Sequence, residues 1–541
     1  MKKFLLFSLL ISIFTLASIY AVECMDLFAL REKNIHVAFS NKGDLLLLTW
    51  ERLPYPCIYR IESLSKSTGL VNGTSEYHSF GEVTTVNSSC ELPAAPIPMV
   101  YRITAYGLLG RIMDTSVIVE NPRDLHPISP VSVYTYSERS PASAMPFLVW
   151  HAVPGAVCYE LEILSAPPKT EGGTTASAQS LLRTAEIFTN GYQADLRPVL
   201  KGEKDILYWR VRALDFNRQA IGEFSNAEPI YVDSKLPMPN KPLINNFDRL
   251  PKGDMPIYPV YQWIPLNGYQ TYEVELLTEA PPTTVAANQK PSPNRLWAQK
   301  VTGAFSCYDE YPRPYAGKYY WRVRAVDADG NTIGSFSTVQ RFDVPEQPSR
   351  ILAAAFGDSI THGGGALSFS PMDLEYSFTS YLDFPTINLG RSGDTSRLSA
   401  DRFEQDVLFF RPYNLLILTG SNSLRDPSIS ADEIIEDLKE IDRKCRENDI
   451  RPVFLTLMPI HPNNIAAAFH TDTDSRWREK LRRVNTYIKE QPYYIDLELY
   501  FYNDSNTILS PSFSVDGLHP DIRGKMLMAE IINLHQDQLR R

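Results

Sequence analysis

Two different hydrophobic rhythms divide this chain. Over the first 345 residues, apolar and polar positions alternate in short runs such as Tyr159-Glu160-Leu161-Glu162 and Tyr272-Glu273-Val274-Glu275, a period of two that predicts strands with one wet face. From residue 350 onward, short apolar runs at 351–356, 386–389, 415–418 and 453–457 read as buried strands. They alternate with amphipathic stretches at 396–410, 431–447, 475–489 and 521–534 that read as helices. Alternation of this kind predicts a parallel sheet covered on both faces. Ligands of such sheets sit beyond the carboxyl ends of the strands, where Ser359 follows the first strand.

The strand-rich part repeats. Trp50, Trp150 and Trp263 are each followed nine positions later by a tyrosine, at Tyr59, Tyr159 and Tyr272. Further on, each repeat carries an alternating strand, at 100–105, 208–213 and 320–325, and then a turn with Gly110, Gly222 or Gly334. Three repeats of roughly 105 residues, each with several short strands, predict three β-sandwiches. Proline-rich joints at 121–130, 236–239 and 345–348 separate the units and predict semi-rigid connections. The four strand tryptophans Trp150, Trp209, Trp263 and Trp321 are expected in the cores rather than on a glycan-stacking surface.

At 541 residues the chain exceeds one core. The basic start Met1-Lys2-Lys3, the apolar run 4–16 and small residues up to Ala21 predict a secretory signal over residues 1–21. Glu23 before Cys24 speaks against lipoprotein processing. No later run is long enough to span a membrane, so none is expected in the mature chain. The net charge of −10, with no basic block, argues against a nucleic-acid partner. Six cysteines make no disulfide framework, although Cys57 and Cys90 fall in one unit and are positioned to pair in an oxidising compartment.

The chemistry-bearing residues lie in the last third. Gly357-Asp358-Ser359-Ile360 places a hydroxyl on a strand-to-loop turn, and Asp516-Gly517-Leu518-His519 supplies a carboxylate and an imidazole three positions apart. A serine needs a base to take its proton, and the base needs a group that fixes its tautomer. An ester carbonyl under attack also needs hydrogen-bond donors for its oxyanion. Ser392-Gly393-Asp394-Thr395 and Thr419-Gly420-Ser421-Asn422 follow strands and are the candidate donors. No Gly-x-Ser-x-Gly occurs. His362, His461, His470 and His535 are expected to be solvated or on a cleft rim, and no His or Cys spacing predicts a metal site. Gly363-Gly364-Gly365 lacks the Lys-Ser/Thr of a phosphate loop and reads as a flexible cleft wall. Arg391 and Arg425 flank the donor segments and are expected to be solvated. No cofactor is predicted.

In that order, Gly357–Ile360, Ile387–Thr395, Gly420–Asn422 and Asp516–His519 resemble the blocks of the SGNH (GDSL-type) hydrolases, over about 190 residues. The resemblance implies Ser359 as nucleophile, His519 as base and Asp516 as its orienter. It also implies an oxyanion hole made by the Ser359 and Gly393 amides and the Asn422 side chain. The repeats resemble fibronectin type III domains, with Tyr319 alone keeping the expected strand tyrosine, which Met99 and Leu207 replace in the other two.

The expected organisation is therefore a signal peptide (1–21), fibronectin-like sandwiches at 22–122, 126–234 and 237–345, and an α/β SGNH hydrolase domain at 349–541. The expected function is an exported serine esterase, periplasmic or extracellular, releasing O-acetyl groups from carbohydrate or cell-wall polymer. The run Ser392–Ser396 is also similar to lysophospholipase and thioesterase members of the family. A surface-binding protein with a decayed hydrolase domain is the alternative from another class.

Overall fold

The computed structural model describes residues 35–539 together with Thr15, Ala17 and Ser18, apart from residues 43–44, 69–74, 94–98, 117–118, 121–128, 154, 170–172, 174, 247–254, 366 and 504. The rest of the signal segment and most of the first proline-rich joint fall outside the described residues. The chain forms two compact units, Met1–Pro127 and Ile128–Arg541.

The N-terminal two-thirds consists of antiparallel sheets that recur three times with one strand order. In the first unit Ser75–Thr85, Ile58–Thr68, Met99–Tyr106 and Ile112–Thr115 pair in that sequence, with Val119–Glu120 also on Met99–Tyr106. Ser180–Ile187, Cys158–Leu164, Lys204–Leu214 and Ala220–Ile221 repeat it, with Glu228–Asp233 as the extra strand. Arg295–Thr302, Thr271–Leu277, Gly317–Val326 and Thr332–Ile333, with Gln340–Val344, repeat it again. A smaller sheet accompanies each, and residues of both share one core, as Leu148 and Trp150 do with Leu161 and Trp209. The repeating tryptophan and tyrosine meet there at 5.3, 5.2 and 5.3 Å between rings. Trp150, Trp209, Trp263 and Trp321 are all core residues.

The wet face expected of these strands is dry in two of the repeats. Glu162 and Glu275 are fully buried, and the neighbouring strand supplies Arg210 and Arg322 as partners at 2.8 and 2.7 Å. The cover is local chain: Arg322 also donates to the carbonyls of Ala287 and Lys290 and lies 4.0 Å from the Phe336 ring centroid, while Arg210 donates to Thr175 and stacks on Phe224. An alternating pattern reports polarity at every second position. It does not report whether an intervening segment folds across that face. Cys57 and Cys90 are not joined by a disulfide.

The C-terminal part is a five-stranded parallel sheet. Its strands are β1 (Ala353–Gly357), β2 (Thr386–Gly390), β3 (Asn414–Leu418), β4 (Arg451–Leu455) and β5 (Tyr494–Ile495), in the order β2-β1-β3-β4-β5. β1 and β3 are buried throughout, the central position that their uninterrupted apolar runs require. The helices are α1 (Ser359–His362), α2 (Ser396–Asp401), α3 (Phe403–Phe410), α4 (Ser421–Arg425), α5 (Ala431–Glu447), α6 (Pro462–Phe469), α7 (Trp477–Lys489) and α8 (Ile522–Leu534). α5 begins in a capping box: Ser430 Oγ accepts from Glu433 N–H, and the Glu433 carboxylate accepts from Ser430 N–H. Caps of this sort contribute about 1 kcal/mol. Ile434, Leu438, Ile441 and Cys445, at helical spacing, bury its inner face. The helix expected over 396–410 is broken at Arg402, whose side chain turns inward.

Candidate active site

Strand β1 ends at Gly357, and Asp358 caps the short helix that follows. One Asp358 oxygen accepts from Ile360 N–H at 3.0 Å and the other from Ser421 N–H at 3.3 Å. Burial pushes this carboxyl up to about 6. Ser359 is thereby the first residue of α1, not its cap. Its amide has no intrahelical acceptor, and it stands just beyond the carboxyl end of β1. Ser359 Oγ lies 2.8 Å from His519 Nε2.

The segment Ser514–His519 folds around one carboxylate. Asp516 Oδ2 accepts from His519 Nδ1 at 2.8 Å, and Oδ1 accepts from the Leu518 and His519 amides at 2.8 and 2.7 Å. Gly517 makes the turn possible: its φ is +80°, and a Cβ there would come within 2.5 Å of the His461 carbonyl oxygen. His461 N–H donates to Gly517 O at 2.8 Å and Asn464 Nδ2 to Val515 O at 3.1 Å, so the start of α6 clamps the loop. The His519 ring meets Phe469 edge-on at 5.8 Å. Burial drives the Asp516 carboxyl upward, but the adjacent imidazole and the donated hydrogen bonds outweigh it and hold the group below the usual carboxylate range. An ionised carboxylate facing Nδ1 fixes the tautomer with Nδ1–H, leaving the Nε2 lone pair to receive the Ser359 proton.

The two candidate donor segments follow the neighbouring strands β2 and β3. Gly393 has φ +89°, and a Cβ there would meet nothing within 4 Å, so the residue faces open space. Asn422, in the first turn of α4, donates one Nδ2 hydrogen to Asp394 O at 2.9 Å, which leaves its second hydrogen for another acceptor. The Ser392–Asp394 loop is held from beneath by Arg402, a residue that motif reading passed over. Its guanidinium contacts Asp394, donates to Gly357 O at 2.8 Å and Leu389 O at 2.9 Å, and pairs with Asp406 at 2.6 Å. It thus ties the ends of β1 and β2 to the loop.

His362, expected on a rim, is buried. Its Nε2 lies 2.8 Å from the Tyr258 carbonyl, which only accepts, so Nε2 carries the proton and Nδ1 accepts from Ser392 N–H at 3.2 Å and Ser392 Oγ at 2.9 Å. Burial lowers this imidazole to about 4, which keeps it neutral. No local pattern announces the role, because the partner carbonyl lies 104 residues earlier. Of the other histidines expected there, His461 caps α6 and His535 contacts Ile531 O at 2.8 Å. Gly363-Gly364-Gly365 is close-packed rather than a loose wall, since a Cβ on Gly365 would run into the Tyr376 ring at 2.6 Å. Arg425, expected in solvent, is partly buried over Phe469 at 5.5 Å, whereas Arg391 is 38% exposed. Lys525 is fully buried beneath the site and donates to Ile360 O, and burial lowers it to about 7.

A hydroxyl bonded to an imidazole that a buried carboxylate orients can carry out acyl transfer through a covalent serine ester. The GDSL-like lipase/acylhydrolase family matches residues 355–527. No curated protein matches the chain. Among solved structures, a lipase/acylhydrolase from Enterococcus faecalis is 23% identical, with 35% of this chain and 96% of that one covered and a TM-score of 0.29. A GDSL-like lipase from Bacteroides thetaiotaomicron is 20% identical, covering 36% and 92%, with a TM-score of 0.29. A catalytic mutant of an acetylxylan esterase from Geobacillus stearothermophilus is 19% identical, covering 34% and 92%, with a TM-score of 0.27.

Proposed function

Residues 355–527 are a GDSL-like lipase/acylhydrolase domain, a carboxylic ester hydrolase, and from that premise we propose that the protein is an exported serine esterase removing O-acetyl groups from carbohydrate or cell-wall polymer. The observation that carries the catalytic part is the unbroken chain Ser359 Oγ, His519 Nε2, His519 Nδ1, Asp516 Oδ2, with 2.8 Å at both hydrogen bonds.

In the proposed reaction Ser359 Oγ attacks the ester carbonyl while His519 Nε2 takes its proton. The oxyanion accepts from the Ser359 and Gly393 amides and the free Asn422 hydrogen. Collapse of the tetrahedral intermediate breaks the C–O bond to the alcohol, which leaves with the proton held by His519. Water then attacks the acyl carbon and gives its proton to His519; collapse breaks the bond to Ser359 Oγ, which takes that proton back as the acid leaves. Asp516 stays ionised throughout and stabilises the imidazolium.

The polymer assignment follows from the layout, a hydrolase preceded by three β-modules read as fibronectin-like spacers at 22–122, 126–234 and 237–345 and by a signal segment at 1–21. Acetate release from a panel of O-acetylated glycans tests it. A parallel series of p-nitrophenyl esters should show activity falling from acetyl to decanoyl. A rise along that series would favour the lysophospholipase or thioesterase reading and overturn the deacetylase.

A further inference from the structure

The third β-module reaches into the hydrolase at Tyr258, Tyr308 and Gln262. Tyr258, just ahead of strand Val260–Ile264, is buried and bonds the hydrolase at both ends. Its carbonyl accepts from His362 Nε2 at 2.8 Å, and its hydroxyl donates to Asp406 Oδ2 at 2.8 Å. The ring between lies 5.5 Å from the Arg391 guanidinium and 5.6 Å from that of Arg402. Tyr308 of the same module meets the His362 ring edge-on at 6.1 Å. Gln262 is within 3.2 Å of Asp373, a further tie to the loops beyond α1.

Both ends of Tyr258 lead to the segment that holds Gly393. Through His362 the path runs to the N–H and Oγ of Ser392, the residue directly before it. Through Asp406 the path runs to Arg402 and then Asp394, the residue directly after it. Asp394 in turn accepts from Asn422 through its backbone oxygen at 2.9 Å. His362 also belongs to α1, three positions after Ser359, so one imidazole fixes the spacing between nucleophile helix and donor loop. Oxyanion stabilisation depends on donors held in place before the charge develops, and a displacement of about 1 Å is costly.

We propose that Tyr258 and His362 are positioning residues for the oxyanion loop, so that the third β-module is a working part of the ester hydrolase rather than a spacer. This rests on the esterase reading above and assigns no contact with substrate to either residue. Loss of the pair loosens the donors that act on the transition state and leaves ground-state binding alone, so it lowers kcat and spares KM.

The test uses the full chain with p-nitrophenyl acetate, and kcat is normalised to sites counted by fluorophosphonate titration. His362→Leu removes both imidazole bonds, His362→Asn keeps an acceptor where Nδ1 stands, and Tyr258→Phe removes only the hydroxyl. The expected result is a kcat per titrated site down on the order of tenfold or more in His362→Leu, partly restored in His362→Asn and lowered in Tyr258→Phe, with KM within about twofold. An unchanged kcat per titrated site in Tyr258→Phe and His362→Asn overturns the proposal, and those two decide it if His362→Leu does not fold. Wild-type protein that neither turns over nor labels at Ser359 would instead bring down the esterase reading itself, and this proposal with it.

Discussion

His519 is bound to Asp516 twice, by its ring Nδ1 at 2.8 Å and by its own backbone N–H at 2.7 Å. Asp516→Asn separates the two bonds. The amide oxygen can still accept from the backbone, but an amide N–H facing Nδ1 forces the other tautomer and leaves Nε2 unable to take the Ser359 proton. The expected outcome is a kcat loss on the order of 10⁴-fold with a rate still above background, because the oxyanion donors remain. Steady-state kinetics on an activated acetyl ester measure it.

Ser359→Ala should abolish turnover and fluorophosphonate labelling with little change in melting temperature, since the hydroxyl's hydrogen bond is to His519 and the cap of α1 belongs to Asp358. Labelling that persists at another residue would move the nucleophile elsewhere.

Asn422→Ala removes a donor without touching the serine, histidine or aspartate. A drop of roughly 10²–10³-fold in kcat at nearly constant KM is expected, the pattern of an interaction made only in the transition state. An equal rise in KM would make Asn422 a ground-state contact instead.

Lys525 gives stability a pH dependence of definite sign. Burial lowers its folded value from 10.5 to about 7, so unfolding takes up a proton between those limits. The penalty for charging it in the fold is fully present below pH 7 and is relieved as pH rises toward 10.5. Stability of the wild type should therefore gain from this group between pH 7.5 and 9.5, and Lys525→Met should lose that gain. Urea unfolding of both proteins at the two pH values decides it.

Arg322→Ala strips Glu275 of its strand partner in a dry environment. Removing one member of a buried pair costs about 3–5 kcal/mol. The Arg295 guanidinium also contacts Glu275 and should keep the loss toward the lower figure. Denaturant titration gives the value, and a loss under about 1 kcal/mol would mean that water reaches the pair.

What could be read from residue order was what is local. The helix Ala431–Glu447 was legible end to end, because its cap, its charged first turn and its inward apolar stripe all lie within the segment. The DGLH loop was legible for the same reason, three residues separating a carboxylate from the ring it holds. The break at Arg402 was not, since its acceptors come from β1, β2, the Ser392–Asp394 loop and α3, which only the fold assembles. Nor was the inward turn of His362 or the dryness of Glu162 and Glu275, each decided by a segment outside its own element that covers the position. The short strand Tyr494–Ile495 carries too few apolar residues to declare itself.

The lodging of Tyr258 between Asp406 and His362 has a consequence for how this protein can be cut and recombined. A boundary drawn at the proline-rich joint near residue 345, where sequence divides most naturally, would take the acceptor from an imidazole N–H and one donor from a buried carboxylate at one stroke. The inheritable piece starts upstream of that tyrosine. A grafted hydrolase must bring its neighbouring β-module along, or replace the tyrosine's carbonyl and hydroxyl with equivalents of its own.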